Sequence, residues 1–133
     1  MVLTSSQEHA LAVHFDCEPF ASVAFQELAA HPLVAPGVCM NPICSRCFVP
    51  ARAWQRYCSA TCRKVDEVEM RRVGHKVAPA LLAWRAGKYE KIEDDLRAVS
   101  RAGRNYVSRL SSDWWADRLR RARVAAEGRD YEY

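Results

Sequence analysis

The sequence predicts a mainly α-helical protein interrupted by one compact cysteine-rich segment. Three observations carry that expectation. Apolar residues recur at helical spacing on both sides of the middle of the chain. Five of the six cysteines fall within residues 39–62. Half of the residues are apolar, which is enough to bury a core. A chain of 133 residues accommodates one domain of ordinary size but not two with separate cores, so one cooperative unit is expected.

The elements follow in order. Residues 16–31 place Phe20, Val23, Ala24, Glu27 and Leu28 on one helical face, with Pro19 where a first turn tolerates it. Pro32, Pro36 and Gly37 then give an extended connection into the cysteines. After Cys62, Val65, Val68 and Val73 predict a helix broken at Gly74. Residues 79–85, with Leu81, Leu82 and Trp84, predict another, closed by Gly87. Tyr89, Ile92, Leu96 and Val99 mark an apolar stripe that can extend past Gly103 to Tyr106, Val107 and Leu110. Trp115, Leu119, Ala122 and Ala126 mark the last, with Ser111 or Ser112 as its cap and Asp113 and Asp117 suited to its positive end. The chain thus reads as an acidic helical segment (1–38), a cysteine segment (39–63), a helical part (64–127) and a frayed tail (128–133).

The net charge of +4 is unevenly distributed. No Lys or Arg precedes residue 39, where Glu8, Asp16, Glu18 and Glu27 stand alone, whereas Arg46, Arg52, Arg56, Arg63, Lys64, Arg71, Arg72 and Lys76 crowd the middle. A basic surface is expected to begin at the cysteines. The start of the chain lacks the basic flank and apolar run of an export signal, and nowhere do ~20 apolar residues run together. The expectation is a cytoplasmic protein with no membrane partner, in which clustered cysteines serve as metal ligands rather than disulfides.

Cys39, Cys44, Cys47, Cys58 and Cys62 supply one sulfur more than a closed tetrahedral zinc site needs. Cys58 and Cys62 form the second pair. For the first, Cys44 and Cys47 have the commonest spacing, while Cys39 and Cys44 flank an Asn-Pro turn that also brings sulfurs together. Spacing slightly favours the former. Ligation by cysteine alone leaves no open coordination position, which argues against catalytic zinc.

Cys44, Ser45, Arg46 and Phe48, followed by Pro50, Arg52, Gln55, Tyr57, Cys58, Ser59, Cys62 and Arg63, resemble a short bacterial and phage zinc ribbon. The Cys-x-Asn-Pro-x-Cys opening at Cys39 is similar to that of CGNR-type zinc fingers. The resemblance covers about residues 39–63. It implies one structural zinc ion held by Cys39, Cys44, Cys58 and Cys62, with Cys47 as a substitute ligand in the variable position. It also implies a DNA-binding or phage-related regulatory role.

Arg46, Arg52, Arg56, Arg63 and Lys64 beside such a ribbon can present several cations to the phosphates of DNA or RNA. A solvated basic rim is the alternative. Trp54 and Tyr57 can stack on bases, although packing over the metal turn is the commoner use of such aromatics. Trp114 and Trp115, adjacent on a helix, diverge by ~100° and cannot both face one core. One is therefore a candidate anchor for a protein partner, such as a bacterial protein or nucleoprotein complex in a host-takeover or anti-defence setting. The sequence offers no phosphate loop, nucleophile elbow or paired carboxylates. His9, His14, His31 and His75 lack metal-ligand spacing, and His75 with Asp66 is too little for a nuclease centre, so neither an enzyme nor a small-molecule substrate is expected.

Overall fold

The computed structural model describes residues 15–130; Glu8, His9, His14 and the last three residues of the expected tail lie outside them. Helix dominates, and among the described residues the only β pairing is an isolated antiparallel bridge between Val38 and Cys47. No described helix is long and apolar enough to cross a membrane. The chain divides after Leu33 into two compact units.

In the first unit the helix expected over residues 16–31 forms as two short pieces, α1 (Phe20–Val23) and α2 (Phe25–Ala30). Ala24 turns out of helical geometry between them, with φ −103° and ψ 32°. The second piece ends at His31, whose extended backbone (φ −136°, ψ 77°) is what a following proline imposes. Among its described residues only Leu28 is buried, and Phe15, Phe20 and Phe25 are exposed.

The second unit is a cysteine loop followed by an antiparallel hairpin of α3 (Ala60–Gly87) and α4 (Asp94–Asp130). Glu90 organises the connection, its Oε1 accepting from the N–H groups of Lys91, Ile92 and Glu93 at 3.0–3.3 Å. Asp94 and Asp95 then meet the positive end of α4.

The hairpin is joined along a seven-residue repeat, as in a coiled coil. Asp66 and Gly87 on α3 are buried, and Met70, Val73, Val77, Ala80 and Trp84 between them are half-buried. On α4 the matching positions are Ser100, Val107, Trp114 and Arg121, with Gly103, Leu110 and Asp117 between. This seam is small at the hairpin end and charged at the cysteine end. Ser100 Oγ donates to the Trp84 carbonyl at 2.7 Å. A Cβ at Gly87 would lie 2.9 Å from that of Ser100, and one at Gly103 would lie 2.9 Å from the Trp84 nitrogen and closer still to the Ala80 carbonyl. Backbone therefore meets backbone. Gly103→Ala is expected to push the helices apart and cost roughly 1–3 kcal/mol in chemical denaturation. Gly74→Ala, which meets nothing within 4 Å, should instead gain up to about 1 kcal/mol.

Several expected boundaries are overridden by this seam. α3 runs through both Gly74 and Pro79, because a glycine costs a helix only about 1 kcal/mol and the packed seam continues beyond it. Pro79 forfeits its hydrogen bond to the carbonyl of His75, an exposed residue. Ser111 and Ser112 cap nothing, since α4 is continuous, and Ser111 Oγ donates back to the Ser108 carbonyl at 3.0 Å. Tyr89 and Ile92 precede α4 and are exposed, so the stripe expected from Tyr89 onward begins at Leu96.

Candidate metal centre

The cysteine loop has almost no apolar interior, and what orders it is a set of backbone hydrogen bonds around sulfur. Cys39 donates its N–H to the Arg46 carbonyl at 2.8 Å, and Phe48 donates to Gly37 at 2.8 Å, closing a narrow hairpin. At its tip the Asn41 carbonyl accepts from the N–H groups of both Cys44 and Ser45 at 2.9 Å. Ser45 takes the left-handed φ of 48° that ends this turn, and its hydroxyl donates to the Pro42 carbonyl at 3.0 Å. Met40 donates to the Arg56 carbonyl at 2.8 Å, which draws the second half of the loop against the first.

Cys58 lies just before α3 and Cys62 lies in its first turn. Between them Ser59 caps the helix, its side chain accepting from the Cys62 N–H at 3.2 Å. The positive end of a helix and a sulfur pair thus coincide, an arrangement that favours thiolates.

The result is one sulfur cluster. The Sγ atoms of Cys39, Cys44, Cys58 and Cys62 all lie within 4.8 Å of one another. Four thiolates at metal–sulfur distances of about 2.3 Å define a tetrahedron with edges of about 3.8 Å. The separations of Cys44 from Cys58, 3.8 Å, and of Cys58 from Cys62, 3.7 Å, match that edge. The donor set and its spacing therefore fit a single tetrahedral metal ion. Cys39 is fully buried and the other three partly so. Cys47 pairs through its backbone with Val38 and is exposed outside the cluster, and Cys17 is likewise exposed.

The thiols are poised unequally. Burial pushes Cys39 up to about 12, although the N–H groups of Cys58 and Asn41 point at its sulfur. Burial also raises Cys58. At Cys62 burial acts in the same direction but is outweighed by hydrogen bonds from Asn41 and Ser59, which bring it down to about 7.

Behind the cluster lies a buried ionic network that sequence reasoning missed. Asp66, 1% exposed, receives both Nη atoms of Arg118 at 2.7 and 2.9 Å and the Tyr57 hydroxyl at 2.7 Å. Arg118 also donates to Glu69 at 2.6 Å and to the Met40 carbonyl at 3.0 Å. Arg121 Nη1 and Trp114 Nε1 complete the shell of Glu69, at 2.7 and 3.1 Å. One guanidinium thus ties the cysteine loop, α3 and α4 together. Burial raises the Glu69 carboxyl, but Arg121, Trp114 and Arg118 overcome it and hold it at about 2. Burial and the bond to Asp66 push the Tyr57 phenol above its ordinary value. Asp66 and Glu69 at one turn's separation, facing Arg118 and Arg121 at the same separation, were the available signal.

Among the residues expected to meet a partner, Arg52, Trp54, Arg56, Tyr57 and Arg63 line one open cleft of about 450 Å3 beside the cluster. Arg46 and Lys64 are exposed but do not line it, and Arg63 also pairs with Glu67 at 3.8 Å. The tryptophans divide as their helical offset requires. Trp114 lies under Arg118, 5.7 Å from the guanidinium carbon, while Trp115 is 47% exposed. His31 and His75 stand apart from the sulfur cluster. Comparison with family models, curated proteins and solved structures finds no match to this chain.

Proposed function

We propose that this chain is a zinc protein in which one ion, held by Cys39, Cys44, Cys58 and Cys62, fixes a basic loop that contacts nucleic acid. It acts there as a regulator, on the nucleic acid itself or on a complex that processes it. The cleft beside the cluster is the observation that carries the reading, because it gathers Arg52, Arg56 and Arg63 around an exposed tryptophan. Zinc suits the site because four thiolates fill the coordination sphere of a tetrahedral ion, leaving a structural role and no catalytic one. A zinc tetrathiolate carries a net double negative charge, which offsets only part of the charge of Arg46, Arg52, Arg56, Arg63 and Lys64. The remaining positive charge favours phosphate. The resemblance of residues 39–63 to bacterial and phage zinc ribbons points the same way and to a phage or prophage setting.

Charge reversal tests the surface. Arg52→Glu, Arg56→Glu and Arg63→Glu should each weaken binding of zinc-loaded protein to labelled DNA or RNA and reduce the slope of log affinity against log salt by about one. Zinc content and helix signal should be unchanged. Equal affinity in all three variants sinks the assignment.

A second reading is a protein-docking module with purely structural zinc. It is favoured by exposed apolar side chains on the hairpin, Trp115, Leu119 and Leu82 among them. A protein that copurifies through nuclease treatment and is lost on Trp115→Ala supports it.

A further inference from the structure

The cleft beside the cluster has the form of a pocket rather than of a flat basic face. We propose that it takes one unpaired nucleotide of a single-stranded nucleic acid, with the base on the Trp54 ring and the adjoining phosphates among Arg52, Arg56 and Arg63. This rests on the nucleic-acid reading above and narrows it to single strands.

Volume and chemistry both fit. About 450 Å3 lies within the range of pockets that enclose one small ligand. Trp54 is 66% exposed, so its ring is open to a stacking partner. Arg52 already stacks on that ring, 5.7 Å from its centroid, which brings a guanidinium beside the place a base would occupy. A duplex keeps its base faces stacked on one another and offers this ring nothing, whereas a single strand can turn a base out onto it.

The pocket is also held in shape. Gln55 accepts from the Ala51 N–H at 2.7 Å, donates to the Tyr57 carbonyl at 2.9 Å, and gives its own N–H to the Arg52 carbonyl at 3.0 Å. Three bonds from one residue thus fix the turn that presents Arg52 and Trp54, which lowers the ordering cost of binding. The opposite wall is the start of α3, where Ser59 and Ala60 line the cleft and no acidic side chain occupies the first turn. The attraction for phosphate therefore rests on the three guanidinium groups, since the positive end of α3 is already engaged by the sulfur cluster.

The test compares zinc-loaded wild-type protein with Trp54→Ala and Trp54→Leu, by fluorescence anisotropy against a short labelled single strand and a duplex of the same sequence. Leucine preserves apolar bulk without the flat ring, so it keeps the test valid if alanine disturbs the loop. The expected result is tighter binding of the single strand by the wild type. Either variant should weaken that binding roughly tenfold or more while leaving duplex affinity unchanged. Equal binding of both forms, untouched by either variant, overturns the pocket but leaves the basic surface standing. No binding to either form at low salt overturns the nucleic-acid reading and the pocket with it.

Discussion

Stripping the metal is expected to abolish the cooperative thermal transition of residues 34–130, not merely to loosen the cysteine loop. Among the described residues of this unit the buried apolar side chains are Cys39, Met40 and Pro42, so the loop has little core to fall back on. Its regular pairing is a single bridge, Val38 to Cys47. A structural zinc ion supplies on the order of 10 kcal/mol or more, comparable to the whole stability of an ordinary domain of about 5–15 kcal/mol. The loop in turn supplies Met40 and Tyr57 to the network that clamps the cysteine end of the hairpin. Calorimetry before and after chelation, with zinc measured in both samples, checks this. Cys39→Ser, Cys44→Ser, Cys58→Ser and Cys62→Ser should each reproduce the metal-free behaviour, whereas Cys47→Ser and Cys17→Ser should retain one equivalent of zinc and the full transition. A metal-free protein that melts as before would refute the assignment.

The contrast between Cys39 and Cys47 shows how far the sequence could be read. Pair spacing identified Cys44, Cys58 and Cys62 but leaned toward Cys47 as the fourth ligand, and only the resemblance favoured Cys39. The deciding fact is three-dimensional: backbone pairing of Cys47 with Val38 and of Cys39 with Arg46 leaves Cys47 exposed outside the cluster and places Cys39 within it. The helical class was legible, but the helix ends were not. Gly74, Pro79 and Ser111 carry local stop or cap signals worth about 1–3 kcal/mol each, and a seam running the length of two helices outweighs them. That seam escaped a search for apolar periodicity because its most buried members, Asp66, Gly87, Ser100 and Gly103, are not apolar. Reading it required knowing that the two helices touch. The same blindness hid the role of Arg118, whose neighbours Arg120 and Arg123 are indeed exposed.

Arg118→Met is expected to cost about 3–5 kcal/mol, the largest effect of any substitution outside the cysteines. Methionine fills the space but leaves Asp66, Glu69 and the Met40 carbonyl without their shared donor, and an unpaired buried carboxylate is what makes such a change expensive. Because Arg118 hydrogen-bonds α4 to the cysteine loop through the Met40 carbonyl, zinc affinity should fall with stability. Adding Asp66→Leu should then recover most of the loss, since replacing a whole buried ion pair by apolar groups is far cheaper than halving it. Tyr57→Phe, removing one bond to Asp66, should cost only about 1 kcal/mol. Glu69 adds a pH signature of fixed sign. Its carboxyl is held at about 2 in the folded protein against an ordinary 4.5, so its contribution is complete above 4.5 and disappears as the pH falls from there to about 2. The stability difference between wild type and Glu69→Gln should therefore be constant at neutral pH and shrink across that acid window. Acid that releases the metal abolishes the transition in both proteins, so the difference is read in the part of this window where zinc content is unchanged. Additive losses in Asp66→Leu and Arg118→Met, with a pH-independent gap for Glu69→Gln, would mean that these charges do not act as one unit. Recovery in the double variant would mean that the cost of Arg118→Met lies in the buried Asp66 carboxylate left without its partner, so that the two charges act as one unit.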